Sequence, residues 1–343
     1  MRIALVHTTL PNPLRRKEGG VTMFVHRLGN ALVRRGEEVT VFSADPRPED
    51  ALYTVSCLPA PEWVTRSFLG QTLVLPVLMN RIDWRGFDVI HTHGDDTFLF
   101  SRKRVRSIHG SALGELLTAT RWRRRLGQAL LYPLELFSAA TASAAIAQSE
   151  ATRRHFPFVR DRVDYAVDTN VFRAGPKSAK PSILFVGTLG GRKRGAWLAS
   201  VFERSIRPAH PETELWMVAD DKVGGAGVTD FGKLSEEDLA SLYRSAWVFS
   251  LPSRYEGFGL AYLEAMASGT AVVASNNPGA DELLGSNRYG FTVSDRLLAE
   301  TISNLIQDTE LRREYERRGL ERSTEFSWDQ TVDAYLEIYE RFR

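Results

Sequence analysis

The sequence predicts an α/β protein made of two Rossmann-like halves. Short apolar runs alternate with amphipathic helical stretches along the chain, the order that gives parallel sheets covered by helices. The 343 residues suffice for two domains of ordinary size. A polar stretch, Gly175-Pro176-Lys177-Ser178-Ala179-Lys180-Pro181, has linker composition, and the alternation starts afresh after it.

The first half opens on a short apolar strand, Ile3–Val6. Gly19-Gly20 leads into a helix with Phe24, Leu28 and Leu32 on one face, and Gly36 stops it. Val39–Phe42 is the next strand. Others are predicted at Val89-Ile90, Val105–Ile108 and Ala144–Ala147, and Val163–Val167 closes this half. In the second half Ile183–Val186 begins a new sheet. Glu214–Val218, Trp247–Leu251 and Ala271–Ala274 continue it. Ser235-Glu236-Glu237-Asp238 reads as a capping box at a helix start. Ser327 can cap a last helix, on which Trp328, Val332, Tyr335, Leu336, Tyr339 and Phe342 form one apolar stripe in need of a partner surface.

Composition narrows the function classes. With 43% apolar and 25% charged residues the chain is that of an ordinary globular protein. Its one cysteine, Cys57, allows no internal disulfide and reads as a small strand hydrophobe in a reducing cytoplasm. Met1–His7 reads as a strand and not as a charged-then-apolar leader, and no run of about 18 apolar residues offers a membrane span. Residues 1–172 carry 23 Lys and Arg against 17 Asp and Glu, and the remainder 21 against 25. The basic excess gathers in Arg15-Arg16-Lys17, in Arg102-Lys103-Arg104 with Arg106, and in Arg121-Trp122-Arg123-Arg124-Arg125, which points to an anionic partner or a solvated arginine-rich face. The stretch 121–137 adds Leu126, Leu130, Leu131, Leu134 and Phe137 to its arginines. It suits an anionic membrane surface, an acceptor rim or ordinary packing, with Pro133 breaking or kinking the helix. No nucleic-acid motif accompanies these runs. No G-x-G-x-x-G follows the first strand, which argues against a dehydrogenase.

The most specific chemistry lies in residues 253–269, Ser-Arg-Tyr-Glu-Gly-Phe-Gly-Leu-Ala-Tyr-Leu-Glu-Ala-Met-Ala-Ser-Gly. A glycine-rich turn opens a helix, and Glu256 in the loop stands eight positions before Glu264, expected about two turns inside that helix. The helix is otherwise apolar or small, so Glu264 needs hydrogen-bond donors, and vicinal sugar hydroxyls supply two. Gly257 and Gly259 bare the helix N-terminus, whose unpaired N–H groups can receive a phosphate. Phosphate and ribose held together make a nucleotide site.

This stretch resembles the E-x7-E region of the retaining glycosyltransferase family 4, whose enzymes have the GT-B fold and use nucleotide sugars. The resemblance covers nearly the whole chain. It implies an acceptor-binding domain over 1–172 joined by the terminal helix 327–343, and a donor-binding domain over 173–326, facing each other across a cleft. The terminal helix would cross back to the first domain. It implies that Glu264 accepts from the ribose, that Glu256 lies near the sugar ring, and that Gly257, Phe258, Gly259 and Leu260 line the phosphate end.

Gly187-Thr188-Leu189-Gly190-Gly191-Arg192-Lys193-Arg194-Gly195 follows the first strand of the second half, where open α/β sheets bind ligands. The resemblance makes Lys193 a ligand of the donor phosphates. Thr188 stands where the family commonly has arginine, so Arg192 or Arg194 would supply the second cation. In the first half, Gly19 and Gly20 leave room for a ligand at the backbone, and the resemblance places them toward donor phosphates and acceptor. His91, His93 and His109 lie at strand ends. No Cys or acidic set joins them, so they do not read as a metal site. The resemblance brings His109 to the transferred sugar, with His93 a lesser candidate and His91 a packed strand residue. No Asp-x-Asp pair stands ready for a divalent ion, since Asp220 and Asp221 are adjacent. The expected activity is metal-independent, cofactor-free transfer of a sugar from a nucleotide diphosphate with retention. The acceptor is a sugar, glycolipid or small molecule. The alternatives are an epimerase or phosphorylase of the same fold, or a non-catalytic nucleotide-sugar binder. The expected location is cytoplasmic, with peripheral membrane contact.

Overall fold

The computed structural model describes residues 1–12, 19–232 and 234–342, so the predicted basic group Arg15-Arg16-Lys17 lies outside the described residues. Two compact units form. One comprises Met1–Leu116, Arg123–Tyr165 and Trp328 onward, the other Leu117–Trp122 and Ala166–Ser327.

The sheet of unit 1 is parallel, in the order β3-β2-β1-β4-β5-β6-β7. Its strands are β1 (Arg2–Val6), β2 (Glu38–Ser43), β3 (Thr54–Cys57), β4 (Val89–Thr92), β5 (Arg104–Ile108), β6 (Ala144–Ala147) and β7 (Asp161–Arg162). Among the described residues the α-helices between them are α1 (Gly20–Arg34), α2 (Glu62–Arg66), α3 (Leu75–Met79), α4 (Ala112–Thr118), α5 (Trp122–Thr141) and α6 (Glu150–Arg153). Helix α1 buries Phe24, Leu28 and Leu32, the stripe its spacing predicts. A core of Ala4, Val6, Phe42, Leu75, Met79 and Ile90 lies between the sheet and α3. The chain order reverses between β1 and β4, and the C-terminal ends of those two strands are where such a sheet opens a crevice.

Four local expectations need correcting. Val163–Val167 is not a strand. Asp161–Arg162 pairs with β6, Val163 N still donates to Ala147 O at 3.0 Å, and the chain then leaves the sheet for unit 2, where Val167 N donates to Phe326 O. Pro133 does not break α5, which runs from Trp122 to Thr141, fixed on either side of the proline by Tyr132 Oη donating to His155 O and by the Ser138 hydroxyl in the core. The run 102–106 is not wholly a surface feature. Arg104 is fully buried with its Nη1 2.7 Å from Asp96 Oδ2, and Arg106 pairs with the same carboxylate, so both offset the cost of burying Asp96 and neither is offered to a partner. Cys57 lies on edge strand β3 and is exposed, so it packs into no core.

Unit 2 repeats the plan with a six-stranded parallel sheet, β10-β9-β8-β11-β12-β13. The strands are β8 (Ser182–Val186), β9 (Glu214–Val218), β10 (Val228–Asp230), β11 (Val248–Leu251), β12 (Ala271–Ser275) and β13 (Phe291–Val293). Its helices are α7 (Gly195–Val201), α8 (Glu236–Ser245), α9 (Leu260–Ala267), α10 (Pro278–Leu284), α11 (Leu298–Gln307) and α12 (Thr309–Ser323). β11 and β12 are buried throughout. Ser235 caps α8 as read, accepting from Asp238 N at 3.1 Å. Asn277 caps α10, with Pro278 in its first turn.

The terminal helix, α13 (Trp328–Glu340), belongs to unit 1. Its apolar stripe finds the partner surface the sequence called for. Trp328 lies 5.4 Å from Phe24, ring to ring, and Tyr335 and Tyr339 are fully buried against the sheet. Arg35 closes the outer edge, pairing with Asp329 and Asp333.

Candidate functional site

In unit 2 the loop between β8 and α7 is shaped by close approaches. A β-carbon on Gly187 would come within 2.6 Å of Lys193 Cδ, so the missing side chain is what lets the lysine stem fold over the strand end. Lys193 is half-buried there. The Thr188 hydroxyl donates to Gly190 O at 3.0 Å. Arg192 and Arg194 diverge. Arg194 caps α7 in the left-handed region, φ +57°. Its guanidinium makes two 2.6 Å bonds to Asp295, donates to Pro252 O and Ser275 Oγ, and lies 4.3 Å over Trp197. Four of its five N–H groups are thus engaged, and the group clamps the loop. Arg192 instead reaches across, its Nη1 2.5 Å from Glu256 Oε1 and 2.8 Å from Tyr255 O.

Glu256 sits in the loop between β11 and α9, 7% exposed, and accepts from Ser253 Oγ at 2.7 Å. Burial works against its charge, but Lys193 first, then Arg192 and the two hydrogen bonds, outweigh it and hold the carboxyl below the usual range. A carboxylate kept ionised in this way accepts hydrogen bonds and does not serve as an acid. Gly257, Phe258 and Gly259 carry the chain into α9, whose first residue is Leu260. Gly259 is the cap at φ +101°, and a β-carbon there would lie 2.4 Å from the Tyr262 ring. The helix therefore begins with no side-chain cap over its N–H groups.

Glu264 is the fifth residue of α9, a little over one turn inside and not two, because the helix starts only after Gly259. It is half-buried among buried neighbours. Its carboxylate faces the Tyr243 phenol of α8, which burial first and then the Glu264 charge hold well above the ordinary range. Ser253, Tyr243 and the Arg194–Asp295 clamp were not foreseen. Ser253 and Tyr243 bear no local signal. Asn277-Pro278 did have the look of a helix start, and Asn277 Nδ2 ties Ser253 O to Tyr262 Oη behind the Glu256 loop.

In unit 1 the predicted residues gather at the β1, β4 and β5 ends. His93 Nδ1 lies 2.9 Å from His109 Nε2, and His109 Nδ1 lies 2.6 Å from Tyr165 Oη. Burial holds both imidazoles well below their ordinary range, so both are neutral. His91 is buried deeper, between Tyr339 Oη and Ser107 Oγ, and titrates at about 3 through burial. Among the described residues no group of three His, Cys, Asp or Glu side chains is arranged to hold a metal ion, the three histidines included. Gly19 precedes α1 as an uncapped, exposed residue beside Gly20, and a β-carbon on it would meet only Thr22 Oγ1 at an ordinary 3.6 Å. Neither its conformation nor its packing requires glycine.

Comparison with known proteins converges on one group. The profile of glycosyl transferases group 1 matches residues 167–322, and that of glycosyltransferase family 4 matches residues 18–160. The chain is 31% identical to O-antigen chain mannosyltransferase B of Escherichia coli over 44% of its own length and 45% of the relative's, so it spans under half of that protein. It is 23% identical to D-inositol 3-phosphate glycosyltransferase of Corynebacterium jeikeium over 99% of its length and 96% of the relative's. Two solved structures share the fold: sucrose-phosphate synthase of Thermosynechococcus elongatus (TM-score 0.82, 21% identity, 99% and 98% of the two chains) and Anabaena HepE with UDP and glucose (TM-score 0.76, 18% identity, 99% and 100%). The two Rossmann-like units are thus those of the GT-B fold.

Proposed function

The chain belongs to glycosyltransferase family 4, the glycosyl transferases of group 1, and on that premise we propose that it moves a sugar from a nucleoside diphosphate sugar to an acceptor hydroxyl with retention at the anomeric carbon. The observation that carries this reading is the meeting of Lys193, Arg192 and ionised Glu256 in unit 2 beside the uncapped start of α9. Two cations and a helix start with no side-chain cap suit a diphosphate, and a carboxylate beside them suits the hydroxyls of the attached sugar.

The reaction then runs as follows. The bond from the anomeric carbon to the diphosphate oxygen breaks, and Lys193, Arg192 and the α9 N–H groups meet the charge that develops on that oxygen. The acceptor oxygen bonds to the anomeric carbon on the same face and gives its proton to the departing phosphate. Glu256 accepts hydrogen bonds from the sugar, and Glu264 from the ribose. In unit 1, His109 meets the transferred sugar as a neutral imidazole with His93 behind it, and Gly19 and Gly20 leave space at the backbone. Unit 1 with its terminal helix takes the acceptor: a carbohydrate, glycolipid or small molecule. No metal takes part and no other cofactor is used. The enzyme works in the cytoplasm with peripheral membrane contact. Among the described residues no helix is long and apolar enough to cross a membrane.

A melting screen with UDP, GDP, ADP and dTDP, then with their sugars, tests the reading, because a ligand of the native state raises stability by mass action. One of the four should raise the midpoint, and silence from all of them would overturn the donor site. Glu264→Ala should weaken that nucleotide about ten-fold or more, the worth of a charge-assisted hydrogen bond. Unchanged affinity by calorimetry would remove the ribose assignment. Turnover should also survive EDTA, and a loss restored by Mg²⁺ or Mn²⁺ would show that a metal takes part.

A further inference from the structure

Tyr243, in the last turn of α8, is fully buried in unit 2. Two aromatic neighbours fix its ring. Phe172 meets it edge-on at 5.8 Å, and Phe249 of β11 lies 5.3 Å away, ring to ring. Its backbone is held as well. Lys177 Nζ donates to Thr270 Oγ1 at 2.9 Å. An ammonium only donates, so the threonine's own proton is left for the carbonyls of Tyr243 and Ala246, which the end of α8 leaves without intrahelical partners.

A side chain fixed at ring and backbone has one polar end left to place, its hydroxyl. Among the described residues that hydroxyl has no partner but the Glu264 carboxylate, which it faces. A buried hydroxyl left without a partner is costly, so its proton belongs to that carboxylate. Burial first, and then the Glu264 charge, hold the phenol well above its ordinary range, so it stays a donor throughout the neutral pH range.

The consequence falls on the ribose. A carboxylate offers about four lone-pair positions on its two oxygens. Neighbouring hydroxyls of one sugar reach both oxygens only when the plane of the carboxylate is turned toward them. A glutamate side chain rotates freely and does not hold that angle unaided. A donor set rigidly on the adjacent helix does.

We propose that Tyr243 is a positioning residue of the donor site: its hydroxyl fixes the plane of the Glu264 carboxylate so that both ribose hydroxyls bind at once, and the site thereby selects ribonucleoside over 2′-deoxyribonucleoside diphosphates. This rests on the ribose role of Glu264 proposed above.

The test is calorimetry on the full chain with UDP, GDP and ADP, each beside its 2′-deoxy form. The wild type should bind one of the ribonucleotides about ten-fold more tightly than its deoxy form, the worth of a hydrogen bond to a charged group. Tyr243→Phe keeps the ring and its packing and removes only the hydroxyl. It should weaken the ribonucleotide about five-fold and the deoxy form by less than about two-fold, so the preference narrows. In a Glu264→Ala background the same change should add almost nothing, because the two residues act as one unit. An unchanged melting midpoint without nucleotide will show that the variant is folded. Wild-type protein that binds ribo and deoxy forms alike overturns the proposal before any variant is made. A merely structural role for Tyr243 would lower the midpoint and weaken both forms equally, and that result overturns it too. So does a Tyr243→Phe loss that persists undiminished in the Glu264→Ala background. If Glu264→Ala abolishes the preference and Tyr243→Phe keeps it, the positioning role alone falls. If Glu264→Ala keeps the preference, the ribose role falls and takes the positioning role with it. Silence from every nucleotide overturns the donor site as a whole.

Discussion

Lys193→Ala should lower kcat by about a hundred-fold or more, the usual loss when one preorganised group facing developing charge is removed. The argument is geometric. The lysine stem lies over Gly187 and its charge is the leading favourable influence on Glu256, so its head stands where the diphosphate and the sugar would meet. Negative charge grows there only as the bond to the sugar breaks, so the loss should fall on turnover more than on donor KM. Folding should be little affected, since the loop is held by Arg194 and Asp295 and not by Lys193. Arg192→Gln should raise donor KM and lower kcat less, because that guanidinium is shared with Glu256 and Tyr255 O. Wild-type turnover in the Lys193 variant would make Arg192 the principal cation.

The second large effect is on stability and comes from unit 1. His91 and His93 are buried neutral, with imidazoles depressed by burial, His91 to about 3. An unfolded histidine titrates near 6.5, so below that value the unfolded chain binds protons that the folded unit refuses. Their contribution is full above about 6.5 and falls as the pH drops. His91 costs about 1.4 kcal/mol for each pH unit below that value, so at pH 5 it alone removes about 2 kcal/mol, and His93 acts in the same direction. His109, also held well below its ordinary range by burial, acts in the same direction. One or two kcal/mol is already a large fraction of a typical domain's stability. Hydrogen-exchange protection factors should therefore fall in 328–340 between pH 7 and 5 well beyond the change in 260–267 of unit 2. Equal protection of 328–340 at both pH values would show that the imidazoles are protonated in the folded state.

The physics decides which features the sequence betrays. Ile3–Val6, Ile183–Val186 and Ala271–Ala274 are central strands buried on both faces, so they read as plain apolar runs. Thr54–Cys57, Val228–Asp230 and Phe291–Val293 lie toward the edges, only three or four residues long and of mixed polarity, and went unread. Val163–Val167 has the apolar look of a strand because Val163, Tyr165, Ala166 and Val167 are buried without joining the sheet as a strand. In the site, Glu256 and Glu264 were legible because a glycine turn and an apolar helix frame them. The separate fates of Arg192 and Arg194 were not. They hang on Glu256 and on Asp295, a residue 101 positions away, and no local pattern records such a contact.

Helix α13 also sets a timetable. His91, Ser107 and Gln148 complete their hydrogen bonds only with Tyr335 and Tyr339, residues that the ribosome reaches after all of unit 2. Domains usually mature in the order of their synthesis. Here the nascent unit 1 must wait with an open groove beside α1 until its distant closing piece is translated. The half that is made first is finished last, and in the interval a chaperone, or the wrong copy of that helix from a neighbouring chain, has its opportunity.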